Sequence, residues 1–298
     1  MRSLGSEDFA GRVTFITGPG RASGKTSLLL AALTMLRRSG EEAALLGIGF
    51  EGVAKGLGSP QGRATRLRVE AGELFASTAS WLEGCGASPE ILGLLSGSGA
   101  FGRLALARAR RPGDVVLVGP ESNEATAEAV ALMREVGAAT VLVDGAFGRL
   151  TQVAAIEGAR FFSSAIVDRG NLASVAASMR RMAALGALPL YDEQASGEGA
   201  EFIFLDGPLT AGIVAALPDR PVLLVVEDFT KVFLEEAALR SLLSRHALRV
   251  RRRIEFAGFV VARRGVGAGE VEGLAEACGA GELLFASPYE DGGAAHAA

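Results

Sequence analysis

A glycine-rich turn that follows the first apolar run holds the clearest candidate functional residues of the sequence. Residues 12–17 are rich in β-forming side chains and predict a strand, and residues 25–38 predict a helix. Between them, Gly18 and Gly20 allow a tight turn that leaves backbone N–H groups bare. This order predicts a phosphate site, because the turn amides and the positive end of the helix dipole face the anion.

Gly24, Lys25 and Thr26 complete the predicted phosphate site. In loops of this kind the lysine reaches the terminal phosphates, and the hydroxyl of the next residue binds Mg²⁺. We therefore predict that ATP and Mg²⁺ are the cofactors. The predicted nucleotide-binding residues are Gly18, Gly20, Arg21, Ser23, Gly24, Lys25, Thr26 and Ser27.

The loop departs from the common pattern G-x-x-x-x-G-K-[ST] at one position. The pattern requires a glycine where Pro19 stands, so the nearest usable glycine is Gly18, and five residues separate it from Gly24. This longer spacing resembles the loop of dethiobiotin synthetase and related P-loop proteins. The alternative is a turn that ends in Gly-Lys-Thr by chance. A strand before the loop and an apolar helix after it favour nucleotide binding.

Three acidic residues follow apolar runs that predict strands: Glu51, Glu121 and Asp144. A carboxylate at such a strand end can hold a metal-bound water or act as a base. The alternative for Asp144 is a plain turn, because Asp-Gly is a common turn sequence. The predicted Mg²⁺ ligands are Thr26, Glu51 and Asp144, and the predicted catalytic residues are Lys25, Glu121 and Asp144.

Apolar runs alternate with helical stretches along the rest of the chain, which predicts an α/β fold with a mainly parallel sheet covered by helices. Further strands are predicted at residues 43–48, 114–118, 140–143, 161–166, 202–205, 221–226, 256–262 and 283–286. Further helices are predicted at residues 72–84, 123–136, 171–185, 209–216, 232–246 and 270–278. We predict a single domain over residues 1–298, with an irregular insert at about 50–112 that holds β-like runs at 66–69, 91–95 and 101–107.

Composition argues against several classes of function. A formal net charge of −4 and an aromatic content of 6 % give little support for nucleic-acid binding. Two histidines and two cysteines make a histidine-centred triad, a zinc site or a disulfide framework unexpected. No apolar run approaches about 18 residues, and the first residues are polar, so we predict a cytoplasmic protein that does not enter the membrane. The guanine-reading sequence Asn-Lys-x-Asp does not occur, which favours adenine or a site without strong base selection.

Several segments together resemble one family, the smaller P-loop subunit of the lysine 5,6-aminomutase reactivase, which is encoded with B12-dependent amino-acid aminomutases. They occur in the family's order and span about residues 12 to 235. The matching segments are residues 18–26, 49–52, 88–92, 118–122, 142–146 with Arg149, and 226–233.

The resemblance implies the three-layer sandwich of P-loop NTPases and an ATP-linked exchange of damaged cobalamin on a partner aminomutase. It also implies a larger, MutS-like ATPase subunit as a second partner. The family's acid after the second strand matches Glu51, and its strand-end aspartate matches Asp144. The chain departs from the family at Gly148, where the family has an acid, and from Thr151 onward, where the family has Ser-Pro.

Three functions are consistent with this sequence. The first is an ATPase that acts as a chaperone-like reactivase on a B12-dependent aminomutase. The second is a small-molecule enzyme like dethiobiotin synthetase or a cobyrinate amidase, in which a substrate carboxylate takes the γ-phosphate. The third is a nucleotide-binding scaffold without turnover. The sequence leaves open whether the chain forms a homodimer.

Overall fold

The computed structural model describes residues 1–20, 23–48, 66–99, 102–145, 150–192 and 202–289. The strands are β1 (Val13–Thr17), β2 (Ala43–Gly47), β3 (Arg66–Val69), β4 (Leu74–Thr78), β5 (Pro89–Gly99), β6 (Gly102–Ala109), β7 (Gly113–Val116), β8 (Thr140–Asp144), β9 (Arg160–Asp168), β10 (Phe202–Leu205), β11 (Leu209–Thr210), β12 (Leu223–Val226), β13 (Val232–Phe233), β14 (Ala247–Val250), β15 (Glu255–Arg264) and β16 (Leu284–Ala286). The helices are α1 (Lys25–Arg38), α2 (Ala79–Leu82), α3 (Asn123–Glu135), α4 (Thr151–Ala154), α5 (Leu172–Gly186), α6 (Ala211–Ala215), α7 (Glu236–Leu243) and α8 (Ala268–Ala277).

The chain divides into two compact units. Among the described residues, the large unit holds those of 2–166, 257–262 and 285–289, and the small unit holds Met1 and those of 167–256 and 263–284. The single domain predicted from the sequence stays a prediction, because such a division does not measure independent folding.

A nine-stranded sheet, most of whose residues belong to the large unit, has the order β16-β15-β9-β1-β8-β2-β4-β6-β5. The neighbours from β9 to β4 are parallel, whereas β6 pairs antiparallel with β4 and with β5. The prediction of a mixed α/β fold with a large, mostly parallel central sheet is therefore confirmed. All five residues of β1 are buried, as expected for an inner parallel strand whose two faces are both covered.

Helix α1 has the bounds that the sequence predicts. Leu28, Leu29, Leu33 and Leu36 lie at helical spacing and are buried against the sheet side of the large unit. Gly40 ends the helix with a φ of 77°, and its N–H donates to the carbonyl of Arg37. The backbone beyond the helix therefore turns in the left-handed conformation that glycine adopts without strain.

An aromatic cluster packs beside β1 in the core of the large unit. The ring of Phe162, on β9, lies 5.5 Å from the ring of Phe9 and 5.5 Å from the ring of Phe285. Phe162 is also the register partner of Ile16 on β1. This packing fixes the strand that leads into the predicted phosphate loop.

Where the sequence predicted an irregular insert, the described residues of 66–112 contain four strands, β3 to β6. The helix predicted at residues 72–84 is wrong, because β4 occupies Leu74–Thr78 and only Ala79–Leu82 is helical. Pairing with β2 and β6 satisfies the backbone of β4, and all five of its residues are buried. β7, predicted as part of a buried strand, pairs antiparallel with β3 in a separate two-stranded sheet.

The small unit contains the parallel sheet β10-β12-β14 and the parallel pair β11-β13. The helix predicted at residues 232–246 begins too early, because Val232 and Phe233 form β13 and Glu235 is the N-cap of α7.

A buried carboxylate organises the segment between β12 and β13. Asp228 accepts hydrogen bonds from the N–H and hydroxyl of Thr230, and Arg252 lies 3.0 Å from its other oxygen.

Candidate functional site

The predicted phosphate loop begins where β1 ends. The hydroxyl of Thr17 donates to the carbonyl of Phe162 at 2.9 Å, which ties the end of β1 to β9. A Cβ atom at Gly18 would lie 2.2 Å from Oγ of Ser23 and 2.7 Å from the carbonyl oxygen of Ser164. Only glycine fits at this position without a shift of the backbone.

The far end of the loop is held by a residue of β9. The hydroxyl of Ser164 donates to the carbonyl of Ser23 at 2.9 Å. Gly24 is the N-cap of α1 with a φ of 91°, and its carbonyl accepts the first helical hydrogen bond, from the N–H of Leu28. The loop therefore closes onto the helix through a left-handed residue, a conformation that a side chain would strain.

Two buried polar side chains, Ser23 and Lys25, lie at the start of α1. Lys25 is 7 % exposed, and its Nζ donates to the carbonyl of Gly20 at 2.9 Å, so the ammonium group lies over the loop. Ser23 is also 7 % exposed, and its Oγ has no hydrogen-bond partner among the described residues. Thr26 is exposed and Ser27 is half-buried at the same end of the helix.

Asp144 lies beside this loop because of the sheet order. It is the last residue of β8, and its register partners are Ile16 on β1 and Gly47 on β2. The three strands are parallel, so their carboxyl ends meet at one edge of the sheet, where α/β folds place ligands. Asp144 is half-buried, and its backbone carbonyl accepts a hydrogen bond from Ile48 at 3.0 Å.

Glu121 is reached through the segment that follows β7. A Cβ atom at Gly119 would lie 1.6 Å from the carbonyl oxygen of Gly47, so the two backbones are in close contact. Because Gly47 pairs with Asp144, the segment that carries Glu121 approaches the same edge of the sheet. The side chain of Glu121 is exposed, and its carbonyl accepts a hydrogen bond from Nε2 of Gln152 at 3.2 Å.

Two predicted site residues, Arg21 and Glu51, lie outside the described residues. So do residues 49–52 and 146–149, which contribute to the family resemblance. Within the described ranges, no group of three or more histidine, cysteine, aspartate or glutamate side chains comes together as metal ligands. The Mg²⁺ site of Thr26, Glu51 and Asp144 therefore stays a prediction.

The structure brings two further residues to the site that the sequence did not indicate. Ser164 holds the loop from β9, and Gln152 contacts the segment of Glu121 from α4. Both contacts join residues far apart in the chain, and neither residue belongs to a recognisable local pattern. Pairing of the strands was the information needed to find them.

No protein-family model, no curated protein and no solved structure matches this chain. The resemblance to the reactivase subunit consequently stays a prediction from the sequence segments. None of the described helices combines the length and the apolar character needed to cross a membrane.

Proposed function

We propose that the chain binds Mg²⁺-ATP at the junction of β1 and α1 and hydrolyses it. We further propose that it does so as a P-loop NTPase of three-layer architecture that serves as the reactivase subunit of a B12-dependent aminomutase. The observation that carries the nucleotide-binding part is the position of Lys25. A buried ammonium group lies over a glycine-rich loop at the start of a helix, and it is held there by the carbonyl of Gly20.

The residues at this junction fit a phosphate group. The helix dipole and the backbone N–H groups of the first turn favour an anion, and the first turn of α1 contains no acidic side chain that would repel it. The buried hydroxyl of Ser23 lacks a partner among the described residues, and a phosphate oxygen would accept its hydrogen bond. Leaving such a buried group unpaired costs about 1–3 kcal/mol, which binding would recover.

Each chemical role that nucleotide hydrolysis requires would then fall to a residue of this chain. Lys25 would donate to the terminal phosphates, and the hydroxyl of Thr26 would face Mg²⁺, which supplies charge neutralisation when it is bound. The carboxylate of Asp144, next to Ile16 at the end of β8, would orient the attacking water or accept its proton. Glu121 is a second acid near the same sheet edge.

The reactivase role is supported by the order of the sequence segments, and the choice of ATP by the missing guanine-reading sequence. These supports differ in kind from the geometry of the loop. A partner-dependent assay is needed for the first, and a comparison of ATP with GTP for the second.

Phosphate release from Mg²⁺-ATP tests the proposal. We expect Asp144→Asn to bind ATP but to release phosphate at least about 100-fold more slowly than the wild type, the lower range for loss of a general base. Asp114→Asn is the matched control, because Asp114 is an exposed aspartate on β7 that is not among the predicted site residues. Addition of a candidate aminomutase should raise turnover. Stimulation by a small carboxylic acid alone would favour the dethiobiotin-synthetase type instead, and tight binding without release would favour a scaffold.

A further inference from the structure

Gln152 is a buried amide that uses only one side of its hydrogen-bonding capacity. It is the second residue of α4 and is 1 % exposed. Its Nε2 donates to the carbonyl of Glu121 at 3.2 Å, while its Oε1 has no partner in the part of the chain that the structure describes. Buried polar atoms are nearly always hydrogen-bonded, so an unpaired amide oxygen calls for an explanation.

The position of Gln152 connects its unpaired oxygen with the candidate site. Its helix follows β8 and Asp144 in the chain, and its hydrogen bond reaches the segment that follows β7. That segment contacts Gly47 through Gly119, and Gly47 is the register partner of Asp144. Gln152 therefore links α4, which follows Asp144 in the chain, to the segment that carries Glu121.

A side chain that only held two segments together would not need a buried amide oxygen without a hydrogen-bond partner. The buried Thr126 on α3 illustrates the usual pattern. Its hydroxyl donates to the carbonyl of Ser122 at 2.7 Å, and no polar atom of that side chain is left unpaired among the described residues. At Gln152, an apolar side chain of equal length would lose one hydrogen bond and would also remove the unpaired oxygen. An acceptor that is kept ready in the absence of a ligand suits a contact made only when a ligand is present.

We propose that Gln152 is a positioning residue for the nucleotide reaction. Its amide N–H holds the segment of Glu121 in place, and its Oε1 accepts a further hydrogen bond in the nucleotide-bound protein. The inference rests on the proposed function, because the bound state is the one with Mg²⁺-ATP at the β1–α1 junction.

The test compares Gln152→Met, which keeps length but cannot form either hydrogen bond, with Thr126→Val as the matched control. We expect Gln152→Met to melt within about 2 °C of the wild type without nucleotide, because it loses a hydrogen bond and an unpaired oxygen together. Its KM for Mg²⁺-ATP should rise by about tenfold, the equivalent of one charge-free hydrogen bond made only in the bound state. Thr126→Val should lower the melting temperature and leave KM unchanged.

Two results would overturn the inference. One is a Gln152→Met protein that melts earlier but keeps the wild-type KM, since that outcome assigns Gln152 a structural role alone. The other comes from hydrogen exchange on the wild type, which serves even if the variant does not fold. Saturating Mg²⁺-ATP should slow exchange of the amides of residues 119, 121–122 and 151–154, and unchanged exchange in saturated protein would contradict the inference. Failure of the proposed function is distinguishable, because the wild type would then not bind Mg²⁺-ATP at all.

Discussion

Replacing Lys25 with alanine removes the ammonium group that lies over the phosphate loop. In the structure its Nζ is 2.9 Å from the carbonyl oxygen of Gly20, and the side chain is almost fully buried. A hydrogen bond to a charged partner contributes about 1.5–3 kcal/mol. The Coulomb attraction of unit charges 4 Å apart is about 4 kcal/mol at an effective dielectric constant of 20, which sets an upper bound. We expect a loss of about 2–3 kcal/mol, a rise in Kd for Mg²⁺-ATP of roughly 30- to 150-fold.

Isothermal titration calorimetry measures this change directly. Thermal melting of the same samples shows whether the variant is folded. We expect its unfolding free energy to fall by about 1.5–3 kcal/mol, because the hydrogen bond from the charged ammonium group to the carbonyl of Gly20 is lost. Lys231→Ala is the control for removing a lysine, since Lys231 ends a short 3-10 helix in the small unit. A folded Lys25→Ala protein that binds Mg²⁺-ATP within twofold of the wild type would show that the ammonium group of Lys25 does not bind the phosphates.

Three further predictions concern a glycine of the loop and two carboxylates elsewhere in the large unit. Gly24→Ala places a side chain at a φ of 91°, so we expect urea denaturation to show a loss of about 1–2 kcal/mol, together with weaker nucleotide binding. Glu73→Ala leaves Arg37 without the carboxylate whose two oxygens each lie 2.6 Å from it, and we expect denaturation to show a loss of about 3 kcal/mol. Hydrogen bonds from the hydroxyl and the N–H of Ser96 lower the pKa of Glu128 below its ordinary value of 4.5. The stability that these bonds add to the folded protein is therefore present above pH 4.5 and is lost as the pH falls through the lowered pKa. Measuring the unfolding free energy during acid titration should show the loss.

Each of these predictions has a matched comparison. Gly20→Ala introduces a Cβ atom that has no atom of the described residues within 4 Å, so its stability should stay close to that of the wild type, unlike that of Gly24→Ala. Glu70→Ala removes an exposed carboxylate 3.9 Å from Arg68, and a change above about 1 kcal/mol there would undermine the contrast with Glu73. Glu128→Gln should lack the acid-dependent loss, and an unchanged pH profile would show that Glu128 is not its source.

Local patterns were sufficient for elements whose ends are encoded in neighbouring residues. Gly40 and the arginines before it predicted the end of α1, and the structure places the left-handed turn there. Ser122 caps α3 by accepting a hydrogen bond from the N–H of Ala125, which agrees with the predicted start at Asn123. These are interactions within four residues, which a sequence window contains.

Elements that depend on distant partners were missed or mistaken. Residues 74–78 lie within the stretch 72–84 whose sequence predicted a helix. In the structure, strands β2 and β6 take up their backbone hydrogen bonds. Val232 and Phe233 pair with Leu209 and Thr210 rather than starting a helix. Hydrophobic pattern alone does not distinguish a short buried strand from a buried helical segment, and tertiary pairing decides between them.

The candidate site shows the same division. The strand, loop and lysine come from one continuous stretch, so the sequence was enough to propose them. The approach of Asp144 to the loop required parallel strands in the order β1-β8-β2, which the structure supplies. Ser164 and Gln152 were not predicted, because their contacts with Ser23 and Glu121 cross 141 and 31 positions of the chain.

Calorimetric titration of the wild-type protein with ATP, in the presence and in the absence of Mg²⁺, measures whether the protein binds nucleotide. The junction of β1 and α1 should take up one nucleotide per chain in a saturable manner, with tighter binding when Mg²⁺ is present. Absence of any saturable heat with folded protein would contradict an anion site built around Lys25.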